Sequence, residues 1–190
     1  MKEKIAKSIS LVTVAPVMAF FTVLLSFVYR KQCFNCIGWF VYTIVFLTLL
    51  PLLAYPLHMI IPASRNKGRK GERKMAFIMA IISYVLGTLL TFILGAPLIV
   101  KKIFMAYLLS GLFLSFINKV LKFKASGHAC GVAGPITLIS HILGTKYLWL
   151  FLLMPILYWS RIKLGRHSIQ ELVTGTFVGI LATFVAVSII

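Results

Sequence analysis

The sequence contains no aspartate and only three glutamates among 190 residues. Enzymes that hold Mg²⁺ between paired carboxylates, including those that transfer prenyl groups or condense CDP-alcohols, need acids that this chain lacks, so those classes are excluded. Charge as a whole is scarce: 12% of the residues are charged, against about a quarter in a soluble domain, while 61% are hydrophobic and the mean hydropathy is +1.01. That balance excludes a water-soluble globule and reads as an integral membrane protein. Cysteine is equally thin. Cys33-x-x-Cys36 has the spacing of a metal or redox pair, yet Cys130 is the only other cysteine and no histidine lies near the pair. A closed zinc site would be short of ligands there, so the two read as ordinary interfacial cysteines. No metal and no cofactor is expected.

Apolar runs fill the chain instead. They are Leu11 to Tyr29, Ile37 to Ile61, Met75 to Val100, Ile103 to Leu121, His128 to Leu143, Tyr147 to Ser160 and Ile169 to Ile190. In hydrocarbon every backbone N–H and C=O must be satisfied within its own segment, so each run is expected to be a helix. A crossing takes about 20 residues. The expected architecture is therefore all-α: one membrane-embedded domain over residues 1–190, a polytopic transmembrane bundle of six to seven spans. The start Met1-Lys2-Glu3-Lys4 leads into the first run without a convincing cleavage site, so that run reads as the first span rather than a signal peptide. The fifth and sixth runs are short, and their ends are expected to lie below the head groups. Gly175-x-x-x-Gly179 in the last run reads as close helix packing.

The 20 Lys plus Arg give a net charge of +17, which in a soluble chain would suggest nucleic acid. Here the charge reflects topology and anionic head groups, and no nucleic-acid partner is expected. The stretch Pro62 to Lys74 is the one long polar connection and reads as a cytoplasmic loop. With seven spans the N-terminus and the even-numbered connections share a side. Nine cations of the N-terminus and this loop lie there, against five on the other side, which points to a cytoplasmic N-terminus and a cytoplasmic basic loop.

Two further connections fall on that same side and concentrate polar residues at the edge of apolar helices. One lies within 118–131 and carries Asn118, Lys119, Lys122, Lys124, Ser126, Gly127 and His128. The other lies within 160–175 and carries Ser160, Arg161, Lys163, Arg166, His167, Ser168 and Glu171. Arg161 and the lysines can neutralise a phosphoryl group, arginine offering a planar fork to two oxygens. Ser126 and Gly127 precede a helix whose free N–H groups suit an anion. His167 and Glu171 are four apart at a helix start, so the carboxylate can accept from Nδ1–H and leave the other nitrogen as nucleophile or base. His128 supplies a second imidazole able to protonate a leaving oxygen. Each part also has a structural reading: Ser168-Ile-Gln-Glu171 is a capping box, Ser126 a simple N-cap, and the lysines interfacial anchors. His58 and His141 have no polar company and read as structural. It is the joint occurrence of both segments on one side that favours function.

Ser126-Gly127-His128 resembles the second motif, P-S-G-H, of the type 2 phosphatidic acid phosphatase family, with Ala125 in place of Pro. Ser160-Arg161-x5-His167-x3-Glu171 resembles its third motif, S-R-x5-H-x3-D, with Glu for Asp, and Leu172 to Gly175 fits the continuation into the last helix. The resemblance covers roughly Lys119 to Ile180, and its specific part is the third motif. It implies a metal-independent lipid phosphatase in which His167 forms a phosphoenzyme, His128 is the general acid, Glu171 orients His167, and Arg161, Ser126 and Gly127 hold phosphate. The family's first motif, K-x6-R-P, is absent. Lys119, Lys122 and Lys124 lie upstream in its stead, with Lys124 the preferred substitute because it adjoins Ser126. The family core has six helices against seven runs here, which leaves the face of the site open. The expected substrate is a lipid phosphate or diphosphate of the phosphatidate, phosphatidylglycerophosphate or polyprenyl diphosphate type. A non-catalytic transporter or lipid-phosphate binder is the rival reading.

Overall fold

Eight helices follow one another with no strand in the computed structural model, which describes residues 1–190. They are α1 (Lys2–Val12), α2 (Ala15–Arg30), α3 (Ile37–Ile60), α4 (Gly68–Ile93), α5 (Leu98–Lys119), α6 (Gly127–Leu143), α7 (Leu153–Lys163) and α8 (Ile169–Ile189). Five of these segments are long and apolar enough to cross a bilayer: α2 with its short continuation to Phe34, then α3, α4, α5 and α8. Large apolar side chains point outward along them, among them Phe177 and Phe184 of α8, both more than 60% exposed. That outward apolar surface suits lipid and would be costly in water.

Three runs take a different form from the one expected. The first divides at Thr13 and Val14, because Val14 is extended and Pro16 starts a new helix, so Leu11 and Val12 belong to α1. The basic stretch Pro62 to Lys74 is not a loop: a short helical turn, Pro62–Arg65, leads into α4, whose first two turns carry Arg69, Lys70, Arg73 and Lys74. Only Met75 to Ile93 of α4 is apolar, rising about 28 Å at 1.5 Å per residue, so the charged turns extend the helix beyond a bilayer core of about 30 Å. The sixth run is a 3₁₀ segment, Thr145–Leu152, followed by the 11-residue α7, and neither piece is long enough to span alone. The fifth run, α6, is a continuous helix of 17 residues with Pro135 inside it. The expectation of six to seven spanning helices thus meets five helices long and apolar enough to span, the shorter apolar α6, and the 3₁₀ segment with α7.

The helices leave charged groups at two ends. Lys7, Arg69, Lys119, Lys124, Arg161 and Arg166 line one cavity, whereas Arg30, Lys102 and His141 line a separate pocket. Packing at the first end turns on small residues. A Cβ at Gly175 would collide with the Ser126 carbonyl, and one at Gly179 would come within 2.6 Å of the Cys130 carbonyl. These two glycines let α8 lie directly against the start of α6, with Ala129, Val132, Ile136 and Leu172 in one buried apolar cluster behind them.

Candidate active site

The crossing of α6 and α8 brings the two polar segments together. The Ser126 N–H donates to the Glu171 carbonyl at 2.9 Å, which ties the start of α6 to the first turn of α8. Just before that turn, outside the helix capped by Ser168, His167 Nδ1–H donates to Glu171 Oε2 at 2.7 Å, and the His167 side chain is only 5% exposed. The bond fixes the tautomer and leaves Nε2 with a free lone pair. The same Oε2 accepts from the Ser168 N–H at 3.2 Å and from Lys124 Nζ at 3.4 Å, while Ser168 Oγ accepts from the Glu171 N–H at 3.3 Å. Capping and orientation, alternatives in the sequence, are performed by one carboxylate at once. Burial holds the His167 imidazole below its ordinary value of 6.5, with Arg161 and Lys124 adding to the effect and the Glu171 hydrogen bond opposing it. The surroundings of His167 thus favour its neutral ring.

Arg161 is 4% exposed and has no carboxylate partner; its Nη1 donates to Ser10 Oγ at 2.6 Å, and its Nε meets no acceptor. Arg166 has the same pattern, Nη1 donating to Ser10 Oγ at 3.1 Å and Nε unpartnered. Two guanidinium Nε–H groups withdrawn from solvent without protein acceptors are donors of the kind that suits an anion. His128 Nε2–H donates to the Ser10 carbonyl at 3.2 Å, leaving Nδ1 as its other nitrogen.

These side chains face a cavity of about 1270 Å³, lined by His128, His167, Arg161, Arg166 and Lys124 at its polar part and by Tyr84, Tyr107 and Leu138 deeper in the bundle. His128 and Leu138 are ten residues apart on α6, so the cavity follows that helix for about 15 Å. Gly127, Lys119 and Lys122 also line it, Lys119 with its Nζ 5.4 Å from the Phe77 ring centre. Ser126 does not face it: fully buried, its hydroxyl accepts from the Ala129 N–H at 3.4 Å as the cap of α6. The structure adds cations that the sequence reading had set aside as a loop, Arg69, Lys70, Arg73 and Lys74. Their signal was present, since Arg69 and Arg73 are four apart and share a helix face. Ser10 had no sequence signal at all. No three His, Cys, Asp or Glu side chains gather anywhere in the chain. His58 Nδ1 pairs with Ser64 Oγ at 2.8 Å and His141 Nε2 with Lys102 Nζ at 3.3 Å, both away from this set. Neither a family model, nor a curated protein, nor a solved structure matches the chain.

Proposed function

We propose that this chain is an integral membrane phosphatase that hydrolyses a lipid phosphate or diphosphate through a phosphohistidine on His167. The observation that carries the reading is the convergence, on one cavity with an apolar interior, of a histidine whose Nδ1 is held by Glu171 and of the buried Arg161 and half-buried Arg166, each with an unpartnered Nε. A cationic entrance above an apolar channel suits an amphiphile, and the resemblance of the two segments to the second and third phosphatase motifs points the same way.

In this reading Arg161, Arg166 and Lys124 neutralise the phosphoryl oxygens, with Gly127 at the cavity wall and Lys119 and Lys122 toward its rim. His167 Nε2 attacks phosphorus in line as the bond to the leaving oxygen breaks. Glu171 balances the charge that develops on the ring. His128 can serve as general acid only when doubly protonated, with Nε2–H on the Ser10 carbonyl and Nδ1–H toward the leaving oxygen; having passed on the Nδ1 proton, it takes one back from the water that cleaves the phosphohistidine. Products are the lipid alcohol, or a lipid monophosphate, and inorganic phosphate.

The chain makes seven passages: α2, α3, α4, α5, α6, the 3₁₀ segment with α7, and α8. Eight 3₁₀ residues at about 2.0 Å and eleven α residues at about 1.5 Å together reach about 32 Å, enough for one crossing. Charge asymmetry then puts the N-terminus, the basic turns of α4 and the site at the cytoplasmic end. The decisive experiment is phosphate release from a panel of lipid phosphates by detergent-purified protein in EDTA. Turnover should persist in EDTA, and His167→Ala should form no phosphoenzyme. Activity abolished by EDTA and restored by Mg²⁺ or Zn²⁺ would exclude the histidine mechanism, and no release from any lipid phosphate would favour a binder or transporter.

A further inference from the structure

The N-terminal helix α1 enters the site through one residue. Ala6 and Ser10 are its only buried residues, four apart on one face. Their small side chains let α1 lie close to α7, where Ser160 Oγ donates to the Ala6 carbonyl at 2.7 Å. Because α1 ends at Val12, the carbonyls of its last turn lose their helical partners. Thr13 N–H goes to Ile9 and Val14 N–H to Leu11, so the Ser10 carbonyl is left for His128 Nε2–H. The negative end of a short helix thereby faces one imidazole and two guanidinium groups.

The Ser10 hydroxyl has two lone pairs and one hydrogen to place. Arg161 Nη1 and Arg166 Nη1 occupy the lone pairs, at 2.6 Å and 3.1 Å. Ser10 lines the cavity and is 4% exposed. With both lone pairs taken, the hydroxyl keeps only its hydrogen to offer, at the wall of the cavity that the two arginines also line. The two Nε–H groups, buried and without acceptors, belong to the same guanidinium pair.

We propose that Ser10 is a ligand of the tetrahedral oxyanion bound here: its hydroxyl donates to a phosphoryl oxygen while it holds Arg161 and Arg166 side by side with their Nε–H edges free for the same anion. The proposal rests on reading the cavity as a phosphate site. It makes α1 part of the site rather than a membrane-surface appendage. The ligand chemistry is common to a lipid phosphomonoester and to free phosphate, and the test treats them separately.

In one arm, inorganic phosphate is titrated into the full-length detergent-solubilised protein and followed calorimetrically; in the other, KM and kcat are measured for a short-chain phosphatidate. Ser10→Ala should weaken phosphate binding about tenfold or more, the scale of one hydrogen bond to a charged group. It should raise KM in proportion, and Ser10→Thr, which keeps the hydroxyl, should stay within about threefold of wild type. Ser10→Cys, which keeps the volume but donates weakly, should resemble Ala and serves if Ala fails to fold. Phosphate affinity unchanged in Ala or Cys, or no phosphate binding by the wild-type protein at millimolar concentration, overturns the proposal. Ser10-dependent phosphate binding without hydrolysis of any lipid phosphate would uphold Ser10 and remove the phosphatase reading.

Discussion

Glu171 carries three donors on a single carboxylate oxygen, and its substitutions separate what each bond contributes. A capping box accepts glutamine at this position as well as glutamate, so Glu171→Gln should leave thermal stability nearly unchanged. Turnover should nevertheless fall about tenfold or more, because the amide keeps the size but cannot balance charge on the attacking ring; a wrong tautomer in a serine-protease triad costs far more. Glu171→Asp keeps the charge one methylene away and should retain partial activity. Wild-type turnover in the Gln variant would reduce Glu171 to a cap. His167 gives the second residue-level prediction. Attack needs the neutral ring, and burial with nearby cations lowers its proton affinity, so the acid limb of kcat/KM should fall below pH 6.5. Lys124→Met removes a cation that disfavours the imidazolium and frees Glu171 to favour it. Both changes raise the imidazole's proton affinity, so the limb should move to higher pH. A limb that stays put or moves down in this variant would show that Lys124 does not act on His167.

At the level of elements, the site depends on how closely α8 approaches α6. Gly175 faces the Ser126 carbonyl, a backbone atom that cannot rotate away, so Gly175→Ala must push the helices apart. Overpacking of this kind costs about 1–3 kcal/mol, and it should also stretch the Ser126 to Glu171 backbone bond. The expected outcome is a lower melting temperature together with a loss of turnover larger than stability accounts for at the assay temperature. Unchanged melting and turnover would show that the crossing is looser than its geometry implies. That α8 packs closely against a neighbour was legible in the sequence, because Gly175-x-x-x-Gly179 repeats at the spacing of one helix face; that the neighbour is the start of α6 was not. The pairing of His167 with Glu171 was legible because it is local in sequence, although it does not arise from a shared helix face: Ser168 caps α8, so His167 stands just before the helix and reaches Glu171 in its first turn. Ser10 was not, since it meets Arg161 across 151 positions and no periodicity encodes such a contact. Arg69 and Arg73 were misread for a physical reason: high polarity suggested a loop, but the helix simply continues past its apolar part.

At the scale of the whole molecule, charge asymmetry has two sources that a sequence count adds together. Arg69, Lys70, Arg73, Lys74 and Lys7 line the cavity, so selection for anion binding would place cations at this end whichever compartment it faced. Under the proposed phosphate reading, the count of nine against five would mix chemistry with topology. Relative placement does not rest on that count: Arg69 and Gly165 line the same cavity, and the Arg69 charge lies close enough to act on Arg166, next to Gly165. Single cysteines at Asn66 and Gly165, in a background with Cys33 and Cys36 replaced by serine, should react with an impermeant maleimide from the same side of sealed vesicles. The native Cys33 and Cys36 are exposed, and Cys33 lines the pocket with Arg30, so that pair should be labelled from the other side. Labelling of Asn66 and Gly165 from opposite sides would break the seven-passage topology by an odd number of crossings. Labelling of Asn66 from outside intact cells would keep the bundle and invert it, showing that the basic end owes its charge to phosphate rather than to the cytoplasm.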